Sequence, residues 1–414
     1  MNPNLEDIIS SEVKETFKNF SFNENIKEDL DFIESDSRKT LEEQIDITEI
    51  PAPTFLEKNR AKYFMNKLKE LGLNKVIMDK VGNVYGVKPG IGKGPKVFVS
   101  AHLDTVFPED TDVTVKRKGE VFSAPGINDD SRGLAELLSI IRTLNQSKLS
   151  NQGDIIFGAT VGEEGAGDLR GVKHIFKEHK DIDGFLSIDV PNFNEIVYKG
   201  TGSARYKILY KGLGGHSFGD FGIPSATHAL GRAIAKISEL QTVEEPKTTF
   251  TVGEIFGGTS VNSIADKAGM TVDLRSNRAQ ELKQLVDKFM KIVKQAAYEE
   301  NKRWRSDTLT FDIEQFGDRP PAQQSFNDTI VQTAYSAIKL AGGDPKLSMP
   351  VSTDANYPMS LNIPSVTLGI GGEFGGIHSL HEWYNPKDSY LGVQKSFLTI
   401  IGLTGVEGVS NPLL

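Results

Sequence analysis

Short, almost wholly apolar runs are separated by helical patterns along most of this chain, and this alternation constrains the fold more than any other feature. The runs are KVFVSA at 96–101, IIFGATV at 155–161, GFLSIDV at 184–190 and VTLGI at 366–370. Strands that are apolar on both faces are typical of parallel sheets covered by helices. We therefore predict an α/β protein whose mostly parallel sheet carries helices on both faces.

The middle of the chain follows a different pattern. Strand and helix patterns come in the order β-α-β-β-α-β over residues 200–316, which is the ferredoxin-like arrangement. The simplest organisation is a small α+β domain inserted into a larger domain that comprises residues 41–199 and 317–414. Residues 1–40 are polar and acidic, and we interpret them as an N-terminal extension.

Charge and cysteine content exclude several classes of function. With 47 Lys and Arg against 56 Asp and Glu, the formal net charge is −9, which disfavours binding to nucleic acid phosphates. The absence of cysteine excludes disulfides, thiolate zinc sites and cysteine nucleophiles. No run approaches the roughly 20 apolar residues that cross a bilayer, and the N-terminus lacks a signal-peptide core. We expect a cytoplasmic protein with neither nucleic acid nor a membrane as its partner.

Polar side chains follow the ends of the predicted strands, where open α/β sheets bind their ligands. Each group alone is weak evidence, because an H-x-D pair or an acidic pair after a strand is usually solvated. Together they would place several carboxylates at one sheet edge, where they would repel one another unless cations held them. The pattern therefore predicts two divalent cations. The residues concerned are His102, Asp104, Asp129, Asp130, Glu163, Glu164, Asp189 and His378.

Five motifs, in the order HLDT, PGINDDSRG, GEEG, SIDV and IHSLHEW, resemble those of the di-zinc M20 metallopeptidases and their deacylase and desuccinylase relatives. The resemblance covers about residues 45–410 and includes the insertion. It implies two zinc ions per chain, for which cobalt or manganese can substitute. It also implies that the inserted domain is a lid through which the chain forms a homodimer.

The resemblance assigns the metal ligands position by position. His102 and Asp189 would hold one zinc ion. Glu164 and His378 would hold the other, and Asp129 would bridge the two. This mixture of nitrogen and oxygen ligands suits zinc, with cobalt or manganese as substitutes.

The same resemblance gives catalytic roles to two acids. Glu163 would be the general base that takes a proton from a water shared by the ions and passes it to the leaving amine. Asp104 would orient the His102 imidazole. Asp130 is interpreted as a helix-capping or surface acid.

Two of these assignments have neighbouring alternatives. Glu163 and Glu164 are adjacent, so the residues alone leave open which is the base and which the ligand; the family order puts the base first. His378 and His381 lie three residues apart. The family pattern of a histidine followed four residues later by glutamate matches His378 and Glu382.

The inserted domain contributes a second set of candidates. His216 lies in GGHS, Asn262 in GGTSVNS and Arg275 in VDLRS. Without the family, these would be a surface histidine, a turn residue and a salt-bridge partner. The resemblance implies that the histidine reaches across the dimer to stabilise an oxyanion, while the other two bind substrate. Thr353 and Asp354 are weaker candidates for the same pocket.

The leading functional hypothesis is a di-metal exopeptidase that acts on short peptides. The alternative is an N-acyl-amino-acid amidohydrolase, which would use the same metals, water and base. The segments HLDTVFPED and GGHSFGDFGIPSA look more like the peptidase branches. A third hypothesis, a catalytically inactive binding protein, is disfavoured because every ligand type and the base are present.

Overall fold

In the computed structural model, which describes residues 5–92, 94–190 and 192–414, the elements follow the alternation that the sequence predicts. The α-helices, in chain order, are α1 (Ser11–Phe22), α2 (Glu24–Ser35), α3 (Ser37–Thr48), α4 (Lys58–Glu70), α5 (Ser131–Gln146), α6 (Arg170–Glu178), α7 (Ala226–Ser238), α8 (Ala279–Trp304), α9 (Thr329–Leu340), α10 (Asn356–Ser360) and α11 (Tyr390–Thr404). None of these described helices is both long enough and apolar enough to cross a bilayer.

The strands are mostly short. In chain order they are β1 (Asn74–Met78), β2 (Val84–Lys88), β3 (Lys96–His102), β4 (Lys116–Lys118), β5 (Val121–Ser123), β6 (Asp154–Thr160), β7 (Gly184–Val190), β8 (Glu195–Val197), β9 (Lys199–Gly200), β10 (Gly202–Lys211), β11 (Gly215–His216), β12 (Thr248–Gly257), β13 (Ser263–Ile264), β14 (Lys267–Ser276), β15 (Thr310–Arg319), β16 (Ala322–Gln323), β17 (Lys346–Leu347), β18 (Ser365–Gly369), β19 (Glu373–Gly375) and β20 (Trp383–Asn385).

The chain divides into two compact units, and the first, Met1–Gly200 with Gln323–Leu414, is organised around an eight-stranded sheet. The strand order is β1-β2-β6-β3-β7-β18-β8-β17. The four central strands β6, β3, β7 and β18 run parallel, which confirms the predicted mainly parallel sheet. Apolar residues such as Val97, Phe157 and Leu186 are fully buried in it. The polar residues that follow the central strands therefore meet at one edge.

The first 40 residues are more than a polar lead-in. The helix α1 begins at Ser11, where Ser10 caps it by accepting a hydrogen bond from the Val13 amide. Val13 and Phe17 belong to the same core as the central sheet, as does Ile33 of α2. This apolar stripe is hard to recognise in the sequence, because its residues recur only every three or four positions among many charged ones.

The second unit, Thr201–Ala322, has the predicted order β10-α7-β12-β14-α8-β15. Its four long strands form an antiparallel sheet in the order β12-β14-β10-β15, which is the ferredoxin-like topology. The helices α7 and α8 pack on this sheet, where Ile208, Met270 and Phe289 are fully buried. The short strands β11 and β13 pair as a separate two-stranded ribbon.

Candidate metal centre

The predicted ligands meet at the carboxyl edge of the central sheet. His102 is the last residue of β3, and Asp189 lies at the end of β7. Glu163 and Glu164 follow β6 and are buried, with 6% and 8% of their surface exposed. Parallel strands in the order β6-β3-β7 deliver these side chains side by side.

Asp129 lies between the two histidines. Its Oδ1 is 2.9 Å from His102 Nε2, and its Oδ2 is 3.0 Å from His378 Nε2. Each carboxylate oxygen thus contacts a different imidazole. Asp129 therefore connects the two histidines.

Two further acids complete the two halves of the cluster. Glu164 Oε1 is 2.8 Å from His378 Nε2, and Asp189 Oδ1 is 3.7 Å from His102 Nε2. The potential ligand atoms of Asp129, Glu164 and His378 all lie within 4.8 Å of one another. A second group of this kind consists of His102, Asp130 and Asp189. A third consists of His102, Glu163 and Glu164. The two residues of each predicted pair therefore lie close together.

The carboxylates favour a positive charge at both imidazoles. Burial alone would lower the pKa of His102, but hydrogen bonds with Asp129 and Asp189 outweigh it and raise that pKa well above its ordinary value. Hydrogen bonds to Asp129 and Glu164 raise the pKa of His378 to about 10. A bound cation satisfies the same demand, and nitrogen and oxygen donors without thiolates suit zinc, cobalt or manganese. The donor set thus fits the expected metals.

The two adjacent glutamates have different surroundings. Glu164 contacts His378, and burial raises the pKa of its carboxyl group. Glu163 offers a carboxylate oxygen near His102, in the group that also contains Glu164. His381 is exposed and belongs to none of the three groups found among the described residues. The geometry favours Glu164 and His378 over their neighbours as ligands.

Asp104 orients His102 through its main chain. His102 Nδ1 lies 2.8 Å from the Asp104 carbonyl oxygen, whereas the Asp104 carboxylate is 3.7 Å away. A carbonyl oxygen can only accept, so Nδ1 carries the hydrogen and Nε2 faces Asp129. The Asp104 carboxylate instead accepts the amides of Glu163 and Glu164, each at 3.0 Å. It therefore fixes the glutamate pair, a contact that the sequence did not reveal.

Asp130 caps a helix, and the alternative of a surface acid is wrong. The residue is fully buried, and its Oδ1 accepts the Gly133 amide in the first turn of α5. Its Oδ2 accepts the amide of His102 at 2.9 Å. Because both oxygens already have backbone donors, Asp130 ties the start of α5 to the end of β3. The Asp129–Asp130 peptide bond is cis.

Glu382 holds the Asp129 loop, a role that sequence reasoning missed. Its buried carboxylate accepts the amides of Gly126, Asn128 and Asp129 at 2.8–3.1 Å. Burial raises the pKa of this carboxyl group to about 7, against the effect of the three amides. The only sequence signal was its spacing of four residues from His378.

The second unit presents its predicted residues at its surface. His216 and Asn262 are exposed, and they lie together because the Ser217 amide donates to the Asn262 carbonyl oxygen. Arg275 lies near the end of β14, where its Nε is 2.6 Å from Asp273 Oδ2. In the first unit, Asp354 is buried and accepts the Thr160 hydroxyl at 2.6 Å; burial raises the pKa of its carboxyl group to about 7.

Several similar proteins are named as peptidases. The cytosol non-specific dipeptidase of Escherichia coli is 26% identical in an alignment of 297 positions that covers 62% of this chain and 57% of that protein. A tripeptidase from Staphylococcus aureus (TM-score 0.73, 22% identity) covers 88% of this chain and 97% of its own. Aminopeptidase PepT from Bacillus cereus (TM-score 0.71, 22% identity) covers 88% and 98%. The chain spans about a third to three fifths of the curated relatives' length.

The family model for peptidase family M20/M25/M40 matches residues 98–401, which include every predicted metal ligand and the whole second unit. The solved structures share the fold over nearly nine tenths of this chain. The chain therefore belongs to peptidase family M20/M25/M40, whose members are metal-dependent hydrolases.

Proposed function

We propose that this chain is a metal-dependent exopeptidase that hydrolyses short peptides. The observation that carries the proposal is Asp129, whose two oxygens each contact one histidine. One cation would be held by His102 and Asp189, and a second by Glu164 and His378, with Asp129 between them. Zinc is the metal we propose.

Bound there, two divalent cations would acidify a shared water and polarise the scissile carbonyl group. The chain's own contribution is proton transfer and positioning. Glu163 is adjacent to the ligand Glu164 and is held by the same Asp104 carboxylate. We assign to it the role of general base, which accepts the water proton and returns it to the departing amine.

His216 is suited to stabilise an oxyanion. Its Nδ1 accepts the amides of Phe218 and Gly219 at 3.2 and 3.1 Å, so a neutral ring carries its hydrogen on Nε2. An exposed N–H donor that is fixed in this way can be aimed at developing negative charge. Phe218 and Val261 beside this ribbon are 88% and 103% exposed. We propose that a second copy of this chain covers them, and that His216 serves the partner's centre.

Substrate binding is assigned to two further residues of the second unit. Asn262 is exposed beside His216, where its side chain can hydrogen-bond to a peptide group. The Arg275 side chain is 41% exposed, and its guanidinium fork suits a carboxylate. The named relatives that cleave di- and tripeptides favour a peptide as substrate. A cytoplasmic location fits the cysteine-free, acidic sequence.

The second candidate function is N-acyl-amino-acid amidohydrolysis, which the same centre supports. A survey of products by mass spectrometry separates the two. Zinc-reconstituted protein is mixed with di- and tripeptides and with N-acetyl and N-succinyl amino acids, and a chelator-treated sample is the control. We expect chelator-sensitive release of one terminal residue from the peptides.

Each outcome of the survey decides a different point. Release of acyl groups with the peptides intact would replace the exopeptidase by the amidohydrolase. Turnover that survives removal of every metal would refute the metal centre itself. Cleavage within longer peptides, away from both ends, would contradict the exopeptidase assignment alone.

A further inference from the structure

Three large apolar side chains are exposed on two segments that hydrogen-bond to each other, and one of these segments contacts Asp104. Phe55 and Leu56 precede α4, and Val106 follows the H-x-D segment; they expose 58%, 51% and 40% of their surface. Isolated exposed apolar residues are common on protein surfaces. This cluster calls for an explanation because two connected loops present it together.

Backbone and side-chain contacts attach the Phe55 loop to the catalytic edge. The Thr54 hydroxyl donates to Asp104 Oδ2 at 2.9 Å, and Asp104 is the residue that holds the amides of both glutamates. The Thr105 amide donates to the Ala52 carbonyl oxygen at 2.9 Å. The loop at 51–57 is therefore anchored to the segment that carries His102.

Phe55 is held in an unfavourable backbone conformation by a dedicated set of contacts. Its φ of 78° lies in the left-handed region, which bulky residues avoid. The Phe55 amide donates to Glu57 Oε1 at 2.9 Å, and Arg170 Nη2 donates to the same oxygen at 2.6 Å. The Arg170 guanidinium lies 4.8 Å from the centre of the Phe55 ring. Such strain persists where the surroundings impose it, which is common at functional sites.

Arg170 connects this arrangement to the catalytic glutamates. A Cβ atom on Gly162 would lie 2.0 Å from Arg170 Nη1, so the guanidinium packs directly on the residue that precedes Glu163. One face of the Phe55 ring thus lies against Arg170, while more than half of the side chain stays exposed. Arg170 therefore connects the Phe55 ring to the segment that carries Glu163. An apolar ring does not bind metal, so its exposure there needs another explanation.

We infer that Phe55, Leu56 and Val106 form an apolar wall that binds a large hydrophobic side chain of the substrate next to the bond that is cleaved. The inference rests on the proposed function and narrows its substrate class to peptides with a leucine-sized or aromatic residue at that position. Burying such a side chain against the wall releases ordered water, while a glycine gains nothing there.

The test compares selectivity between matched substrates. Zinc-loaded wild type, Phe55→Gly and Leu56→Ala act on dipeptides and on N-acetyl amino acids that carry glycine, leucine or phenylalanine. Glycine at position 55 relieves the backbone strain, so this variant should fold. We expect the ratio of kcat/KM for leucine over glycine substrates to fall about tenfold in each variant and to keep its wild-type value in the control. Phe22→Ala is the control, because Phe22 is 77% exposed on α1.

Failure of the inference and failure of the proposed function give different results. If only acylated amino acids are hydrolysed, the peptidase proposal is wrong, and the selectivity ratio within that series still tests the wall. If nothing is hydrolysed, calorimetric binding of leucinamide and glycinamide to the zinc-loaded proteins supplies the ratio. An unchanged ratio in Phe55→Gly overturns the inference. A shift in sedimentation with an unchanged ratio would assign the cluster to contact between copies of the chain.

Discussion

The two compact units arrange their polar residues in opposite ways. The first unit connects its candidates to one another and buries most of them: His102 is 2% exposed, and Asp129 contacts both His102 and the more exposed His378. The second unit leaves His216 and Asn262 exposed, with contacts inside their own ribbon. The first unit thus groups its candidates into one cluster, whereas the second presents its candidates at its surface. Substitutions in the two units should therefore affect metal binding and turnover differently.

The largest effect is expected in the first unit, where we assign one glutamate to metal binding and its neighbour to turnover. Glu163→Gln should lower kcat by about 10^4-fold, because the amide cannot accept the proton of the attacking water. Metal content should stay at the wild-type level, since the glutamate that we assign as a ligand is Glu164, whose Oε1 lies 2.8 Å from His378 Nε2. Steady-state kinetics and metal analysis by mass spectrometry measure both quantities.

Glu164→Gln is the matched control for this prediction. It should lose the cation shared with His378, because an amide oxygen is a weaker ligand than a carboxylate. If Glu163→Gln lost that cation while Glu164→Gln retained it, the roles of the two glutamates would be reversed.

In the second unit, His216→Ala should reduce kcat by about 10^2 to 10^3-fold and leave metal binding unchanged. The reason is that the side chain is exposed, and its Nδ1 accepts the backbone amides of Phe218 and Gly219 in the same unit. His228→Ala, another exposed histidine of this unit, should keep wild-type kcat. A loss of metal in His216→Ala would contradict our expectation that substitutions in the second unit leave metal binding unchanged.

The same variant tests the dimer. Mixing His216→Ala with Glu163→Gln chains should restore activity, because in a hybrid dimer one centre has its own Glu163 and the partner's intact histidine. The measurement is activity after subunit exchange that is confirmed by mass spectrometry. Complete exchange without any recovery would show that each chain uses its own histidine.

A smaller effect is expected from Glu382, which touches the centre only through backbone amides. Glu382→Gln should weaken metal affinity about 10- to 100-fold, because an amide nitrogen would face one of the three amide donors that now hold the Asp129 loop. Competition with a chromogenic chelator gives the affinity. Glu373→Gln, an exposed acid nearby, should match the wild type; equal affinities in both variants would remove Glu382 from the metal centre.

Much of the fold was predictable because two patterns are clear along the chain. These are the short apolar runs of the strands and the spacing of apolar residues by three and four in the helices. The buried runs that became β3, β6, β7 and β18 match their predicted positions to within one or two residues. The helices α1 and α2 were not foreseen as part of the core, because single apolar residues such as Phe17 stand among charged neighbours. Length and composition could not show that this thin stripe is buried.

In the candidate site, roles that depend on side-chain type were predictable, whereas contacts with backbone amides were not. We predicted that His102, Asp129 and His378 lie together because cations need particular side chains near strand ends, and the three are in contact. The contacts of Asp104 and Glu382 were missed, because both acids act on backbone amides, which have no sequence signature. Predicting them requires the path of the chain through the Asp129 loop.

The smallest effect concerns a buried carboxylate of the first unit that lies away from the cluster. Asp29 on α2 is 2% exposed and accepts the hydroxyl of Ser147 at 2.6 Å. Burial raises the pKa of its carboxyl group from 3.8 to about 6. The folded protein therefore binds this proton more tightly than the unfolded chain does. Stability from this group is complete below about pH 4 and is lost as the pH rises through about 6.

Asp29→Asn mimics the protonated acid and should remove this pH dependence. We expect the variant to exceed the wild type in free energy of unfolding by about 2–3 kcal/mol at about pH 8, and by much less at about pH 4. Urea unfolding at both pH values measures the difference, and Asp31→Asn on the exposed side of α2 is the control. Equal stabilities at both pH values would mean that burial does not penalise this charge. Burial alone would then not explain why the carboxylates of the metal centre need cations. Their need for cations would instead come from the repulsion between the carboxylates.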